Sequence, residues 1–289
     1  MITLNGQEIK IEKFPDGTQR LNVHPPKSLI NNHIVWRYES EIEYMTLWYV
    51  VKHLKENNPL RVIYLTLPYV PNARMDRTKH EDEVFTLKWF AEFINSLNFS
   101  RVNVLDPHSN ITTALINKVK VDNPIDHIQI VLNSIENAGY TPILYFPDAG
   151  AMKRYEGMLT EYPFLYGEKK RNWETGEILG LDLKGDTQRI EKIENPTFLM
   201  IDDICSYGGT FYYSAKALKE IFPNSYVNSW ATHTENDFPT LQKAFDEGLI
   251  LHHFTTNSLY SHTHDKIKTF LYVNEIYERS HCKMDSRLV

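Results

Sequence analysis

Residues 198–211 read FLMIDDICSYGGTF, and no other stretch constrains the fold as much. An apolar run ends in two adjacent acids, Asp202 and Asp203, and then in Tyr207, Gly208, Gly209 and Thr210. A short apolar run bounded by polar residues and glycines reads as a buried strand. The residues that follow, TFYYSAKALKEIF, read as a helix. Strand, glycine turn and helix make the unit of an open α/β sheet, which binds ligands at the carboxyl ends of its strands.

The same alternation runs along the chain. Strand-like segments at 34–38, 61–70, 101–108, 142–150, 197–203, 225–234 and 248–258 are interleaved with helix-like segments at 42–56, 84–97 and 127–139. In the first helix Tyr44, Leu47, Trp48, Val51 and Leu54 have helical spacing, and Gly139 is placed as the stop of the third. Such alternation predicts an α/β protein with mostly parallel, doubly wound sheets flanked by helices. Residues 119–127, VKVDNPIDH, lack periodicity and hold a proline, so a domain boundary is expected near 122. That divides the chain into domains 1–122 and 123–289, with a ligand cleft expected between them.

Bulk properties narrow the function. The formal net charge of -6 disfavours a nucleic-acid partner. Cys205 and Cys282 alone give neither a disulfide framework nor a zinc spacing, which points to a reducing compartment. No apolar run of about 18 residues is present, so no membrane span is expected. The opening MITLNGQEIKIEKF lacks the apolar core of a signal peptide. A cytoplasmic protein is the expectation.

Polar residues gather at four strand ends: PYVPNARMDR (68–77), DPHSN (106–110), PDAGAMKRY (147–155) and DDICSYGGT (202–210). Backbone N–H groups in a glycine turn at a helix N-terminus form an anion site, and Thr210 adds a hydroxyl. Asp202 and Asp203 repel a phosphate but accept hydrogen bonds from an adjacent diol. Phosphate beside diol describes a phosphorylated ribose; the plainer alternative is an N-cap and turn with no ligand. Arg74 and Arg77 can clamp phosphate oxygens or lie on a solvated turn. His108 and Asp148 suit a Mg²⁺ site, although a lone His is more often structural. GEKKRN (167–172) reads as a mobile loop, a solvated face or a cationic lid. Cys205 has no paired base and reads as a turn residue rather than a nucleophile.

Taken together and in order, FPDG (14–17), LPYVPNARMDR (67–77), LDPHSN (105–110), PDAG (147–150), KKR (169–171) and IDDICSYGGT (201–210) resemble the ribose-phosphate pyrophosphokinases, the phosphoribosyl-pyrophosphate synthetases. The resemblance implies two phosphoribosyltransferase-like domains with the active site between them. It implies transfer of the β,γ-diphosphoryl group of MgATP to the 1-hydroxyl of a ribose phosphate, releasing AMP. By the same resemblance Arg74, Asp76 and Arg77 serve ATP, and Phe14 and Asp16 reach the adenine of a neighbouring subunit in a homo-oligomer. His108 and Asp148 sit at Mg²⁺, with His108 also counted among the catalytic groups. Lys169 and Arg171 are the lid pair that steadies the transferring group. Asp202 and Asp203 hold the ribose hydroxyls, and Ser206, Tyr207, Gly208, Gly209 and Thr210 hold the 5-phosphate.

Departures from the family pattern concern both substrates. FPDG lies unusually near the start, as though the opening strand–helix unit were shortened. Thr18 replaces a usual Glu and Met75 a usual Gln, both at the nucleotide end. Ser206-Tyr207 replaces a common Asp-Thr pair. Losing an acid and gaining an aromatic there leans slightly toward a 5′-extended acceptor, ADP-ribose in NAD⁺ salvage, over ribose 5-phosphate. A type I phosphoribosyltransferase would share only the 201–210 loop and consume no ATP. A non-catalytic relative would lack Lys169, Arg171, Asp202 or Asp203, all of which are present.

Overall fold

The computed structural model describes residues 1–24, 31–171 and 178–272, with the side chains of 169–182 outside that description. The chain divides into two compact units, Met1–Asn123 and Pro124–Val289.

In the first unit the elements are β1 (Ile2–Leu4), β2 (Gln7–Glu8), β3 (Ile11–Lys13), β4 (Gln19–Leu21), β5 (Asn31–Trp36), α1 (Ile42–Asn57), β6 (Val62–Leu67), α2 (Thr86–Ser96), β7 (Arg101–Leu105), α3 (Asn110–Leu115) and β8 (Val119–Asp122). One sheet has the order β2-β1-β5-β6-β7-β8, and β3 and β4 form a separate hairpin. Strands β5 to β8 are parallel, while β1 is antiparallel to both neighbours. Leu47, Val50, Val51 and Leu54 of α1 recur at helical spacing and pack with Ile63, Leu65 and Leu67 of β6. Trp48, placed on that stripe from spacing alone, turns outward, with the Lys52 ammonium 5.6 Å from its ring. Residues 119–122, unperiodic in sequence, form the parallel edge strand β8.

The second unit comprises α4 (Ile125–Asn137), β9 (Pro142–Phe146), α5 (Ala149–Tyr155), β10 (Phe164–Arg171), β11 (Ile178–Gly185), α6 (Thr187–Ile190), β12 (Thr197–Cys205), α7 (Gly209–Ile221), β13 (Tyr226–Thr234), α8 (Pro239–Asp246), β14 (His253–Thr256) and β15 (Ile267–Phe270). The sheet order is β11-β10-β9-β12-β13-β14-β15, parallel except for the β10–β11 hairpin. Strand β12 shows why its sequence is continuously apolar. Phe198 and Met200 pack with Phe211, Ala215 and Leu218 of α7 and Leu241 of α8. Leu199 and Ile201, on the other face, pack with Ile128, Val131, Leu132 and Ile135 of α4. Both faces of the strand are covered, as in parallel sheets generally. Burying each such side chain contributes about 1.5–3 kcal/mol. Helix α4 ends as expected at Gly139, whose φ of +86° few other residues tolerate.

One expectation needs correction. Residues 167–171, read as a mobile loop, lie on β10 and pair antiparallel with β11. Charged residues hid this strand, because a ribbon held by backbone hydrogen bonds needs no apolar alternation.

A buried histidine in this unit makes stability pH-dependent. His253 accepts or donates to Ser229 Oγ through Nδ1 and Thr234 Oγ1 through Nε2, both at 2.8 Å. Burial pushes its pKa down to about 3. The unfolded chain takes up a proton near pH 6.5 that the folded state refuses, so stability falls as pH drops below about 6.5. Urea denaturation should find ~2 kcal/mol less stability from this source at pH 5 than at pH 8. His253→Asn should show a correspondingly weaker pH dependence; an unchanged dependence would refute the assignment.

Candidate functional site

In the first unit the arginine motif follows β6. Val70 and Ala73 are buried, and Asn72, at φ +62°, donates from Nδ2 to Tyr44 Oη at 3.0 Å. These anchors fix the loop and leave Arg74 and Arg77 exposed. Asp76 is buried and accepts from Arg77 Nε at 3.1 Å. Its carboxylate therefore orients the arginine. His108 is half-buried in the turn after β7, just beyond Asp106, whose N–H donates to Asp122 O at 2.9 Å.

The FPDG turn joins β3 to β4. Asp16 Oδ1 accepts from Thr18 N at 2.9 Å and Thr18 Oγ1 at 2.7 Å. These bonds, the side-chain one first, hold its carboxyl below the usual range. Thr18, the departure from the family pattern, thus braces the turn. Phe14 stands 50% exposed at its tip.

In the second unit the register collects the remaining groups. Met200 lies opposite Tyr145, so Asp202 and Asp203 stand level with the turn that follows β9. That turn carries Asp148, which caps α5: its Oδ1 accepts from Gly150 N at 2.8 Å and Ala151 N at 2.9 Å. Tyr166 of β10 is paired with Phe146, the last residue of β9, so Lys169 and Arg171 continue past the same carboxyl edge. Their side chains lie outside the described residues.

Strand β12 runs to Cys205 rather than ending at the acids. Asp203 is buried and paired with Arg154 of α5, Nη1 to Oδ2 at 3.3 Å. Its N–H donates to Asp202 Oδ1 at 2.9 Å. Burial, then the neighbouring charges of Asp203 and Asp148, push the Asp202 carboxyl well above the ordinary range. An acidic group so placed gains from hydroxyl donors or a cation.

Beyond Cys205 the loop turns into α7. Gly208, at φ +88°, precedes the helix and offers no capping side chain. The N–H groups of the first turn, 209–211, have no partner within the helix and suit an anion. The loop is held from α8: Tyr207 O accepts from Thr240 N at 2.9 Å and Leu241 N at 3.0 Å. Ser206 Oγ donates to Glu235 Oε2 at 2.6 Å. The hydroxyl expected to meet phosphate thus donates its hydrogen bond to a carboxylate instead. Tyr207 is 60% exposed. Cys205 is 1% exposed, out of reach as a nucleophile.

Sequence reading singled out neither Arg154 nor Glu235. Arg154 stands six residues after Asp148, within a motif already noticed. Glu235 has no local signal, since it is 29 residues from Ser206. Among the described residues no three His, Cys, Asp or Glu side chains converge on a metal position. Asp148 and Asp202 carry oxygen donors of the kind that Mg²⁺ favours, while Asp203 is paired with Arg154. His108 belongs to the first unit and Asp148 to the second.

No family model matches the chain. It is 30% identical over 225 residues to the ribose-phosphate pyrophosphokinase of Mycoplasma pneumoniae, covering 74% of this chain and 64% of that protein. It is 25% identical over 269 residues to the Bacillus subtilis protein of the same name, covering 90% and 80%. In structure it is similar to phosphoribosylpyrophosphate synthetase from Mycobacterium smegmatis, with a TM-score of 0.74 at 16% identity over 94% of this chain and 90% of that one. That likeness establishes the fold: two α/β units with mostly parallel sheets flanked by helices. In sequence the chain is thus similar to the ribose-phosphate pyrophosphokinases, and in fold to a phosphoribosylpyrophosphate synthetase.

Proposed function

We propose that the protein is an ATP-dependent diphosphotransferase that makes a 1-pyrophosphorylated ribose from MgATP and a 5-phosphorylated ribose. The observation that carries this reading is the adjacent pair of half-buried Asp202 and buried Asp203, set one loop away from the open N-terminus of α7. Carboxylates accept from the 2- and 3-hydroxyls, while the helix N-terminus holds the 5-phosphate. The sugar's 1-hydroxyl oxygen forms a bond to the β-phosphorus of ATP. The bond from that phosphorus to the α,β-bridging oxygen breaks, AMP departs, and the hydroxyl proton is lost to water.

Such a transfer needs positioning and charge neutralisation, with no side-chain nucleophile. In this reading Arg74 and Arg77, the latter oriented by Asp76, bind ATP phosphates from the first domain, and Lys169 and Arg171 steady the transferring group. By the resemblance, His108 of the first unit and Asp148 of the second are the residues that would hold Mg²⁺, which would supply further charge neutralisation. Arg154 keeps Asp203 in place. Phe14 and Asp16 form an exposed, braced tip suited to the adenine of a second copy, which makes a homo-oligomer part of the proposal. No described helix is long and apolar enough to cross a membrane.

Ribose 5-phosphate is the proposed acceptor, since the relatives are named for ribose phosphate. The lean toward ADP-ribose from Ser206-Tyr207 gains no support from those names. It rests on one observation, the exposed Tyr207 ring at the loop. Purified protein with MgATP and each acceptor in turn, followed by AMP release and product mass, decides between them. We expect AMP and a product two phosphates heavier with ribose 5-phosphate. AMP with ADP-ribose alone would reverse the assignment, and AMP with neither would refute the proposed activity.

A further inference from the structure

A cavity of about 380 Å³ lies in the second unit between α4 and the strands β12 to β15. Its lining includes Thr197 and Tyr226, the first residues of β12 and β13. It therefore lies toward the amino edge of the sheet, the length of β12 away from the phosphate loop that follows Cys205. Ile130 and Val131 of α4 give it an apolar wall, and Phe254 of β14 and Phe270 of β15 an apolar floor. Three lining side chains are polar and uncommitted. Thr197 is 3% exposed, and its Oγ1 has no hydrogen-bond partner. Asn228 is 6% exposed, and its amide makes no hydrogen bond among the described residues. Lys268, half-buried on β15, makes no hydrogen bond or ion pair among them. Ser134, by contrast, is satisfied, donating to Val131 O at 2.7 Å. No Asp or Glu stands among the described lining residues. Buried polar groups without partners are exceptions in folded proteins. Apolar walls with a few convergent polar groups, at about 300–1,000 Å³, are the usual form of a small-ligand site.

We propose that this cavity is a second ligand site, separate from the phosphate loop, for a small apolar anion: an aromatic or aliphatic body carrying one carboxylate or phosphate. The register gathers its polar groups. Ser229 pairs with His253, and Phe254 with Lys268, so Asn228, His252 and Lys268 stand on three neighbouring strands. The Lys268 charge acts in this space: burial, then Lys268 and Lys266, hold His252 below the usual imidazole range. Lys266 is already committed, donating to Phe245 O at 2.8 Å. That leaves the Lys268 ammonium, with the Asn228 amide N–H and the Thr197 hydroxyl, as donors for an anionic head. The wall of α4 and the two phenylalanines take the body. Positive charge with no balancing acid selects an anion, and the apolar lining selects one with an apolar body. The inference is independent of the proposed function.

The test titrates 2-naphthoate, 2-naphthyl phosphate and the uncharged 2-naphthol calorimetrically into the full chain. At least one of the two anions is expected to bind about 10-fold or more tightly than 2-naphthol, and the stronger of them identifies the head. Lys268→Gln should remove that preference and leave 2-naphthol binding unchanged. Ile130→Trp, at a partly exposed position of α4, fills the cavity and should abolish binding of all three. Thermal unfolding checks that each variant folds. Should Ile130→Trp fail to, Asn228→Leu, which removes the amide at similar volume, should weaken the anions and spare 2-naphthol. Absence of binding to the full chain would overturn the inference, whether a second copy or residues 273–289 cover the cavity instead. Equal affinity for the anions and 2-naphthol would overturn it as well. So would binding that survives Ile130→Trp or anion affinities unmoved by Lys268→Gln, since the probe would then sit elsewhere.

Discussion

Gly208→Ala is expected to disable the phosphate loop and to destabilise the second unit by about 2–5 kcal/mol, the left-handed backbone and the overpacking adding together. Gly208 has φ +88°, and a Cβ built on it would lie 2.4 Å from Leu241 Cβ, 2.6 Å from Leu241 N and 2.8 Å from Leu241 Cα. None of these atoms is the far end of a flexible side chain. The backbone of Leu241 is also tied to the loop, since its N–H donates to Tyr207 O. Relief would require the loop and the start of α8 to move apart, which misplaces the first turn of α7. Gly209→Ala is the matched control. A Cβ there meets nothing within 4 Å, and alanine suits a helix better than glycine. Urea denaturation should show the loss in the first variant and near-wild-type or slightly higher stability in the second. Ribose 5-phosphate binding should be lost in the first. Equal stability of the two variants would show that the close approach of α8 does not matter.

The contrast between these glycines marks where sequence reading succeeds and where it stops. GGT before an amphipathic run announces a turn into a helix, because glycine freedom and helical periodicity are local properties. Which glycine is indispensable depends on Leu241, more than thirty positions away, and only the fold brings it near. The same division holds elsewhere. Strand β12 and helix α7 were legible because each buries a continuous or periodic apolar surface. The β10–β11 ribbon was not, because the run Glu168, Lys169, Lys170 and Arg171 has no apolar pattern to read. Asp202 and Asp203 were read as a strand end, yet β12 continues to Cys205, since adjacent acids interrupt an apolar pattern without interrupting backbone pairing. Asp148 was read for a metal, and its local task is to cap α5. The Ser206–Glu235 contact follows from the parallel register of β12 and β13, a non-local quantity.

Asp202→Asn is expected to raise thermal stability at neutral pH and to cut turnover by roughly 10- to 100-fold, the worth of a charge-assisted hydrogen bond to a sugar hydroxyl. The two effects have one origin. Burial and the charges of Asp203 and Asp148 raise the folded-state pKa of Asp202 above its unfolded value. The folded state then holds a proton more tightly than the unfolded state, so the group's favourable contribution is present at low pH and is lost as pH rises through the folded pKa. Near neutrality the wild type carries that cost, and asparagine removes it. The Tm advantage of Asp202→Asn should therefore be largest at pH 8 and shrink toward pH 4. Asp203→Asn provides the contrast. It also relieves Asp202, but Arg154 loses the carboxylate 3.3 Å away, so its gain in Tm should be smaller while activity falls similarly. Differential scanning fluorimetry across pH, beside AMP release, measures both. If Asp202→Asn were less stable than wild type at pH 8, the two acids would not be held in mutual repulsion. If it were more stable and fully active, the pair would have no part in binding the sugar.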